Sequence, residues 1–392
     1  MIVPWRRGTS ARHVLDDALS ALTAGDWAAD QPPVPWLHWP VDTANPYQAL
    51  LYSRFAAHNL VPVRLHDINA LDGLLESFPD EVSAVLHVHW LYAVTAKSRS
   101  EGEAAEKAAA YEQRIRDLVD RGVRLVWTVH NMLPHETAFP DVELRVRRFM
   151  AATAELVHVM HGSHPEMIRQ TFELDPACTL VIPHPSFVGA YPDWIDRRGA
   201  RAHLGLPLGA RVLVTFGQIR PYKGHGAFLD AFELAAKQDP DLRWLVAGKI
   251  RDEPGGEDFM RSAARHPAVL LHPGFVPDQD VQYFLRAADA AVMPYVRSLN
   301  SGVAALTASF DLPAFASTGT SLGDLMPDQA VVRFDLTDPE AAAQALVEGR
   351  RLDGEAARAA VREHVRDLHP SVVSERMAAA MRAWVDRPKA RD

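Results

Sequence analysis

"FGQIRPYKGHGAFLDAF", residues 216–232, follows the apolar run "RVLVTFG" that ends at Gly217. The run reads as a buried strand. After Gly224, residues Phe228, Phe232 and Ala235 recur at i, i+4 and i+7, the spacing of a helix's buried face. The stretch is therefore a strand–turn–helix unit with Arg220 and Lys223 at the helix entrance. The first backbone N–H groups of a helix point outward and carry partial positive charge, so two cations placed there make an anion site. An ordinary α/β turn with solvated charges fits the same letters, and the rest of the chain has to decide.

Outward from this turn, short apolar runs alternate with amphipathic stretches. Strands are expected at 34–39, 61–65, 84–89, 123–129, 155–159 and 179–182, then at 211–216, 242–247, 268–272, 289–293 and 313–316. Helical patterns fill 46–58, 102–121, 141–153 and 164–173 in the first half, and 224–237, 257–265, 278–287 and 302–310 in the second. Strands alternating with helices imply parallel sheets covered on both faces. The stretch "PHPSFVGAYPDW" (183–194) has three prolines and no periodicity, and reads as a link. The expected fold class is α/β: two doubly wound Rossmann-like domains facing a cleft, over 1–188 and 195–369. A terminal helix over 370–392, striped by Val373, Met377, Met381 and Trp384, is expected to pack back on the N-domain.

Composition narrows the function. The 392 residues suit two domains. The chain carries 41 Lys and Arg against 50 Asp and Glu, a net charge of −9, which argues against nucleic acid as the main partner. A single cysteine, Cys178, excludes an intramolecular disulfide and zinc sites built on several cysteines. No signal-peptide pattern or stretch of roughly 18–20 apolar residues is present, so a cytoplasmic location is expected. The basic, tryptophan-bearing "PWRRGTSARH" (4–13) suits peripheral contact with the inner membrane face, and suits an ordinary exposed terminus equally.

Ligands of open parallel sheets bind beyond the carboxyl ends of the strands. In the second half those ends carry Gly217, Arg220 and Lys223; Gly248 and Lys249 in "VAGKI"; and Arg297, Asn300, Ser301 and Gly302 in "YVRSLNSG". Asn-Ser-Gly at a helix entrance is a capping sequence and also a phosphate cradle. A pyrophosphate held between the 217–224 turn and the 300–302 loop is the coherent reading. In the first half, "VHNMLPHE" supplies His130, His135 and Glu136, "LHVHWLY" supplies His87 and His89, and the turn after 34–39 supplies Asp42. Histidines and carboxylates at strand ends also build metal sites. His-x-His lacks a defined further ligand set, and His158, His161 and His164 have no recognised metal spacing, so no metal ligand is assigned.

These stretches together resemble GT-B glycosyltransferases of the large family-4 type. That family has a G-R-L-x-x-x-K-G turn whose basic residues hold the donor's diphosphate. Lys223 and Gly224 match its end, Gln218 stands at the usual arginine, and Arg220 is two residues on. "TVHNMLPHE", "HVHWLY" and "NPYQALLY" resemble a bacterial exopolysaccharide and glycolipid branch that includes β-mannosyltransferases. The resemblance implies transfer from a nucleotide diphosphate sugar, GDP-mannose or a UDP-hexose, to a saccharide or lipid-linked acceptor, with no cofactor required. It implies that His130 lies beside the transferred sugar. An inverting enzyme would need a base, for which Glu136, Asp42 and His135 are the candidates. The family's two glutamates, eight positions apart, fall on Ser298 and Leu306, so their roles do not carry over. A non-catalytic GT-B relative that binds nucleotide sugars or supports a partner, a GT-B epimerase and a metal-dependent hydrolase stay open on the sequence.

Overall fold

The computed structural model describes residues 32–76, 84–133, 138–250 and 256–387. The basic stretch 4–13, His135 and Glu136 lie outside these. The chain divides into two compact units, one of Met1–Pro183 with Ser371–Asp392, the other of His184–Pro370.

In the first unit the order is β1 (Val34–Trp39), α1 (Tyr47–Leu51), β2 (Leu60–Arg64), α2 (Leu71–Leu75), β3 (Val85–Val88), α3 (Tyr92–Thr95), α4 (Glu101–Asp120), β4 (Arg124–Thr128), α5 (Pro140–Thr153), β5 (Leu156–Val159), α6 (His164–Arg169) and β6 (Thr179–Val181). All six strands are parallel, in the order β2-β1-β3-β4-β5-β6. Burial on both faces explains the near-continuous apolar strands such as "VPWLHW", buried at every position. Helix α4 shows how local sequence writes an element. Ser100 caps it by accepting from the Glu103 N–H at 3.2 Å, and Glu103 Oε2 accepts the Arg99 N–H at 2.9 Å. Its buried Ala104, Ala108, Tyr111, Ile115 and Leu118 alternate steps of four and three, and Gly122 follows its end at φ 91°.

The second unit runs α7 (Arg197–His203), β7 (Arg211–Phe216), α8 (His225–Gln238), β8 (Leu242–Gly248), α9 (Gly256–Ala263), β9 (Val269–Pro273), α10 (Val281–Ala287), β10 (Ala290–Met293), α11 (Gly302–Ser309), β11 (Ala314–Ser317), β12 (Val331–Phe334), α12 (Pro339–Glu348) and α13 (Glu355–Asp367). Its sheet is also parallel, ordered β12-β11-β10-β7-β8-β9. The stretch 184–194 holds no helix or strand and is tied to this unit: Ser186 N–H donates to Leu368 O at 2.7 Å, and Phe187 N–H to Ser309 Oγ at 2.7 Å.

Helix α14 (Pro370–Val385) packs in the first unit. Val373, Met377 and Met381 are fully buried beside Trp36, Phe55 and Leu60, and burying each such side chain contributes about 1.5–3 kcal/mol. Arg124 finishes the helix by donating to Trp384 O and Val385 O at 2.9 and 3.0 Å, while its guanidinium covers the Trp384 ring. A cation at a helix C-terminus is favoured by the unsatisfied carbonyls there.

Several elements differ from the sequence reading. The single helix expected over 46–58 is α1 followed by a separate 3₁₀ turn at Phe55–His58, with Asn59 left-handed at φ 53°. The helix expected over 164–173 stops at Arg169, and 278–287 opens as a 3₁₀ turn before α10. Strand β12 and helices α2, α3, α7, α12 and α13 are additional.

Candidate functional site

A doubly wound sheet has one point where the strand order reverses, and the loops leaving the flanking strands diverge there to open a crevice. In the second unit that point lies between β7 and β10. The loop after β7 is the Gly217–Gly224 turn, and the loop after β10 runs from Pro294 to Ser301.

These two loops are built into each other. Gly217 (φ 94°) and Gly248 (φ 150°) pack backbone to backbone, so a Cβ on Gly248 would overlap the Gly217 carbonyl. Gly217 N–H donates to Ala247 O at 2.9 Å and Ile219 N–H to Lys249 O at 3.0 Å, extending the β7–β8 pairing into the turn. Gly224 (φ 64°) lies so close to the end of β10 that a Cβ there would overlap Pro294 O. Val296 N–H donates to Tyr222 O at 2.9 Å. The start of α11 closes the arrangement: Val303 Cγ2 is 3.2 Å from where a Gly217 Cβ would stand, and Ser301 caps the helix through the Val303 N–H at 3.2 Å.

Lys223 is 6% exposed, with its ammonium 5.1 Å from the centre of the Tyr295 ring and reaching toward Gly217. Burial pushes the Tyr295 phenol up to about 12, the Ser301 hydrogen bond working against it, so the ring offers Lys223 a neutral aromatic face. Beneath the turn, burial and the Lys223 charge hold His225 down to about 3. Arg220 donates through Nε and Nη2 to Gln218 Oε1 at 3.0 and 2.7 Å. Thus Gln218 aims the guanidinium from two residues away. Asn300 accepts the Ser301 N–H at 2.9 Å, and Gly302 lies against Phe187. Lys249 and Arg297 are exposed at the rim. Ser298, 3% exposed, donates to Asn300 O at 2.9 Å, and Leu306 is buried in α11. The positions that carry the family's glutamates here tie a loop and fill a core.

In the first unit the order reverses between β1 and β3. The loop after β1 holds Asp42, which accepts the Ala44 N–H at 2.9 Å, and Gln48 braces the loop at Asp42 N and Pro40 O. Asp42 also lies near Tyr92, whose phenol is pushed up first by burial and then by this carboxylate. His130, after β4, is half-buried. The half-buried Trp90 stacks on it at 4.4 Å, and Tyr47 meets it edge-on at 5.1 Å. Its neighbour Asn131 accepts from Arg147 Nη2 at 3.0 Å, and Arg147 in turn holds Glu143 at 2.6 Å. A buried ion pair on α5 therefore anchors the loop that carries His130.

Behind His130 the polar side chains join one hydrogen-bonded chain through His89, Tyr52, His87, Thr128 and His158. Burial leads every shift: His38 falls to about 3, His158 to about 4, and His87 and His89 well below the ordinary range. The cluster is neutral at neutral pH. Among the described residues no group of three or more His, Cys, Asp or Glu side chains is arranged to hold a metal ion. The sequence pattern had not singled out Tyr47, Tyr52, Thr128, Arg147 or Tyr295. The i, i+2 pairs His87/His89 and Thr128/His130 at strand ends were the available signal, since such pairs share a sheet face.

Two surface cavities of about 410 and 520 Å³ lie elsewhere, one at Lys237 and Arg243, the other at Arg286 and Asp311. Both are at the amino ends of strands, away from the loops described above.

Comparison with known proteins bears on the family and the fold. Residues 210–349, which span β7 to the end of α12, match the family model of glycosyl transferases group 1. The GDP-mannose:glycolipid 4-beta-D-mannosyltransferase of Xanthomonas campestris pv. campestris is 27% identical over 277 residues, 71% of each chain. Sucrose-phosphate synthase from Thermosynechococcus elongatus superposes with a TM-score of 0.68 at 15% identity, over 90% of this chain and 99% of that one. Anabaena HepE, crystallised with UDP and glucose, gives 0.63 at 13% identity over 90% and 100%. The protein is a glycosyltransferase with two parallel six-stranded sheets of the GT-B type and a glycosyl transferases group 1 domain over residues 210–349.

Proposed function

We propose that this glycosyltransferase moves a hexose from a nucleotide diphosphate sugar, GDP-mannose or a UDP-hexose, to a hydroxyl of a saccharide or lipid-linked acceptor. The observation that carries the reading is the interlocked Gly217–Gly224 turn, with buried Lys223 and the capped start of α11, at the reversal point of the second sheet. Glycines there bring backbone close to a ligand, and the cations and helix starts suit a diphosphate. In this reading Lys223 and the Gln218-aimed Arg220 hold the diphosphate, with Gly217, Gly248, Asn300, Ser301 and Gly302 as the backbone cradle. Lys249 and Arg297 are rim contacts.

Breaking the bond between the sugar's C1 and the phosphate oxygen leaves negative charge on the diphosphate. Fixed positive groups stabilise that charge as it develops, without reorganising solvent. The scheme draws its positive charge from the protein and requires no metal. The acceptor is assigned to the first unit, where Trp90 and Tyr92 offer aromatic faces, Asp42 a carboxylate and His130 an imidazole. The glycolipid named for the Xanthomonas relative makes a lipid-linked acceptor the first to try. Among the described residues no helix is long and apolar enough to cross a membrane. Contact with a bilayer through 4–13 is therefore a separate proposal, tested by vesicle flotation.

The direct test is radiolabelled transfer from GDP-mannose, UDP-glucose and UDP-N-acetylglucosamine to a lipid extract and to soluble saccharides, with the anomeric configuration read by NMR. Transfer from one donor, abolished in Lys223→Ala, supports the proposal. Hydrolysis with no acceptor product, or transfer unaffected by Lys223→Ala, contradicts it.

A further inference from the structure

Helix α5 buries more than apolar side chains. Beside Val142, Val146 and Met150 it encloses an ion pair one turn apart, Glu143 at 2% and Arg147 at 1% exposure. Taking both charges out of water commonly costs as much as their attraction returns, and well-packed apolar residues in such a place are often as stabilising or more so. Arg147 Nε has no hydrogen-bond partner among the described residues, which adds to the cost. Stability alone therefore does not account for the pair. Its other bonds point to a different task. Glu143 Oε2 accepts from Arg147 Nη1 at 2.6 Å, while Oε1 accepts from the hydroxyl of Thr95, the last residue of α3. Arg147 Nη2 donates to Asn131 Oδ1 at 3.0 Å. Thr95 closes the short helix that begins at Tyr92, and Asn131 follows His130. The segment after β3 and the loop after β4 are thus held by one buried pair. They meet again where the half-buried Trp90 stacks on His130 at 4.4 Å.

We infer that Glu143 and Arg147 are positioning residues that set these two segments as one acceptor platform, fixing Trp90 and Tyr92 relative to His130. A saccharide held on the aromatic faces then meets the imidazole in a single geometry. The inference rests on the assignment of the acceptor to the first unit. Thr95, Glu143 and Arg147 are buried, so they act through the segments they hold. Precision is what such a pair supplies, since a misplacement of about 1 Å at a reacting group costs about a hundredfold in rate. Thr95 and Asn131 each hold a different member of the pair. Losing either bond frees the pair to shift, and the other segment shifts with it.

Thr95→Val keeps the side chain's shape and removes the hydroxyl, and Asn131→Ala cuts the other tie. Combining Glu143→Met with Arg147→Met replaces the pair by apolar groups, a change that a helix core tolerates. Hydrogen exchange read by mass spectrometry on peptides covering 90–96 and 129–133 follows both segments without any assay. The expected result is reciprocal. Thr95→Val speeds exchange in 129–133, Asn131→Ala speeds it in 90–96, and the double variant speeds both while β3 and β4 stay protected. Adding Thr95→Val to the double variant changes nothing further. In turnover each variant lowers kcat/KM for the acceptor about ten- to a hundredfold with nucleotide Kd unchanged, and Thr95→Ser recovers most of the loss. Exchange that quickens only in the segment carrying the substitution overturns the inference, as does an equal effect of Thr95→Val with the pair present and absent. Protection lost throughout β3 and β4 in the double variant makes the pair a stability element and overturns it too. Coupled exchange with an unchanged acceptor kcat/KM overturns instead the reading beneath it, the acceptor's place on the first unit.

Discussion

The two sheets reverse strand order in the same way and dress the reversal points with opposite chemistry. At β7/β10 the loops are glycine, lysine and arginine, with backbone packed on backbone and a positive charge held nearly out of solvent. At β1/β3 the loops and strand ends are histidine, tyrosine and tryptophan, with burial keeping the inner imidazoles neutral. Topology supplies a place for a ligand, and the residues at the strand ends decide its kind. One place suits a phosphate anion. The other suits an uncharged sugar and the movement of a proton.

The contrast predicts its largest effect in acid. A histidine whose folded pKa lies below its unfolded value of about 6.5 leaves the unfolded chain binding more protons below that pH. Stability is thus full above pH 6.5 and falls as pH descends toward the folded value. Four such histidines, His38, His87, His89 and His158, lie in the first unit, against His225 and the more exposed His272 in the second. The buried histidines whose folded values are about 3 or 4, His38, His158 and His225, each cost on the order of 1–2 kcal/mol by pH 5. Hydrogen-exchange protection of β3 and β4 should therefore drop more steeply from pH 7 to pH 5 than that of β7 and β8. Equal losses would break the comparison.

Next in size, His130→Ala should lower kcat by about 10²–10⁴ while leaving nucleotide binding intact, because it removes a group from the first site only. Steady-state kinetics paired with calorimetry separate the two effects. Gly224→Ala should cost about 2–4 kcal/mol in a denaturant melt, from the left-handed φ and the overlap with Pro294 O together. Nucleotide affinity should fall with it, since the overlap pushes the two loops apart. The smallest effect belongs to Gln218→Ala, which releases Arg220 without discharging it. Nucleotide Kd should rise about two- to fivefold, and a rise as large as that from removing Arg220 would mean that Gln218 touches the ligand itself.

How much of this was legible in the sequence depended on the range of the interaction. Strands β1 and β7 fall on the apolar runs 34–39 and 211–216 because burial on both faces leaves an uninterrupted signal. Strand β12, "VVRF", was missed because it is four residues long, partly exposed and preceded by turn-rich sequence. Helix α7, "RRGARAH", buries only Ala200 and Arg201 and is started by Asp196, a cap that reads equally well as loop. The Gly217–Gly224 turn was readable because strand, glycine and helix are consecutive. That Gly248 must also be glycine depends on Gly217, 31 residues away, and only the fold reveals it. The histidine chain was half visible. Spacing puts His87 with His89 and Thr128 with His130, but the strand order that brings β1, β3, β4 and β5 side by side cannot be read from one sequence.

The central claim is that the second unit's reversal point binds a nucleotide diphosphate independently of the first unit's histidine site. Calorimetric titration of GDP, UDP and ADP into the wild type, Lys223→Ala and His130→Ala tests it most directly. The account predicts selective binding of one nucleotide, weakened at least about tenfold in Lys223→Ala and unchanged in His130→Ala. Binding that survives Lys223→Ala, or is lost in His130→Ala, would contradict it.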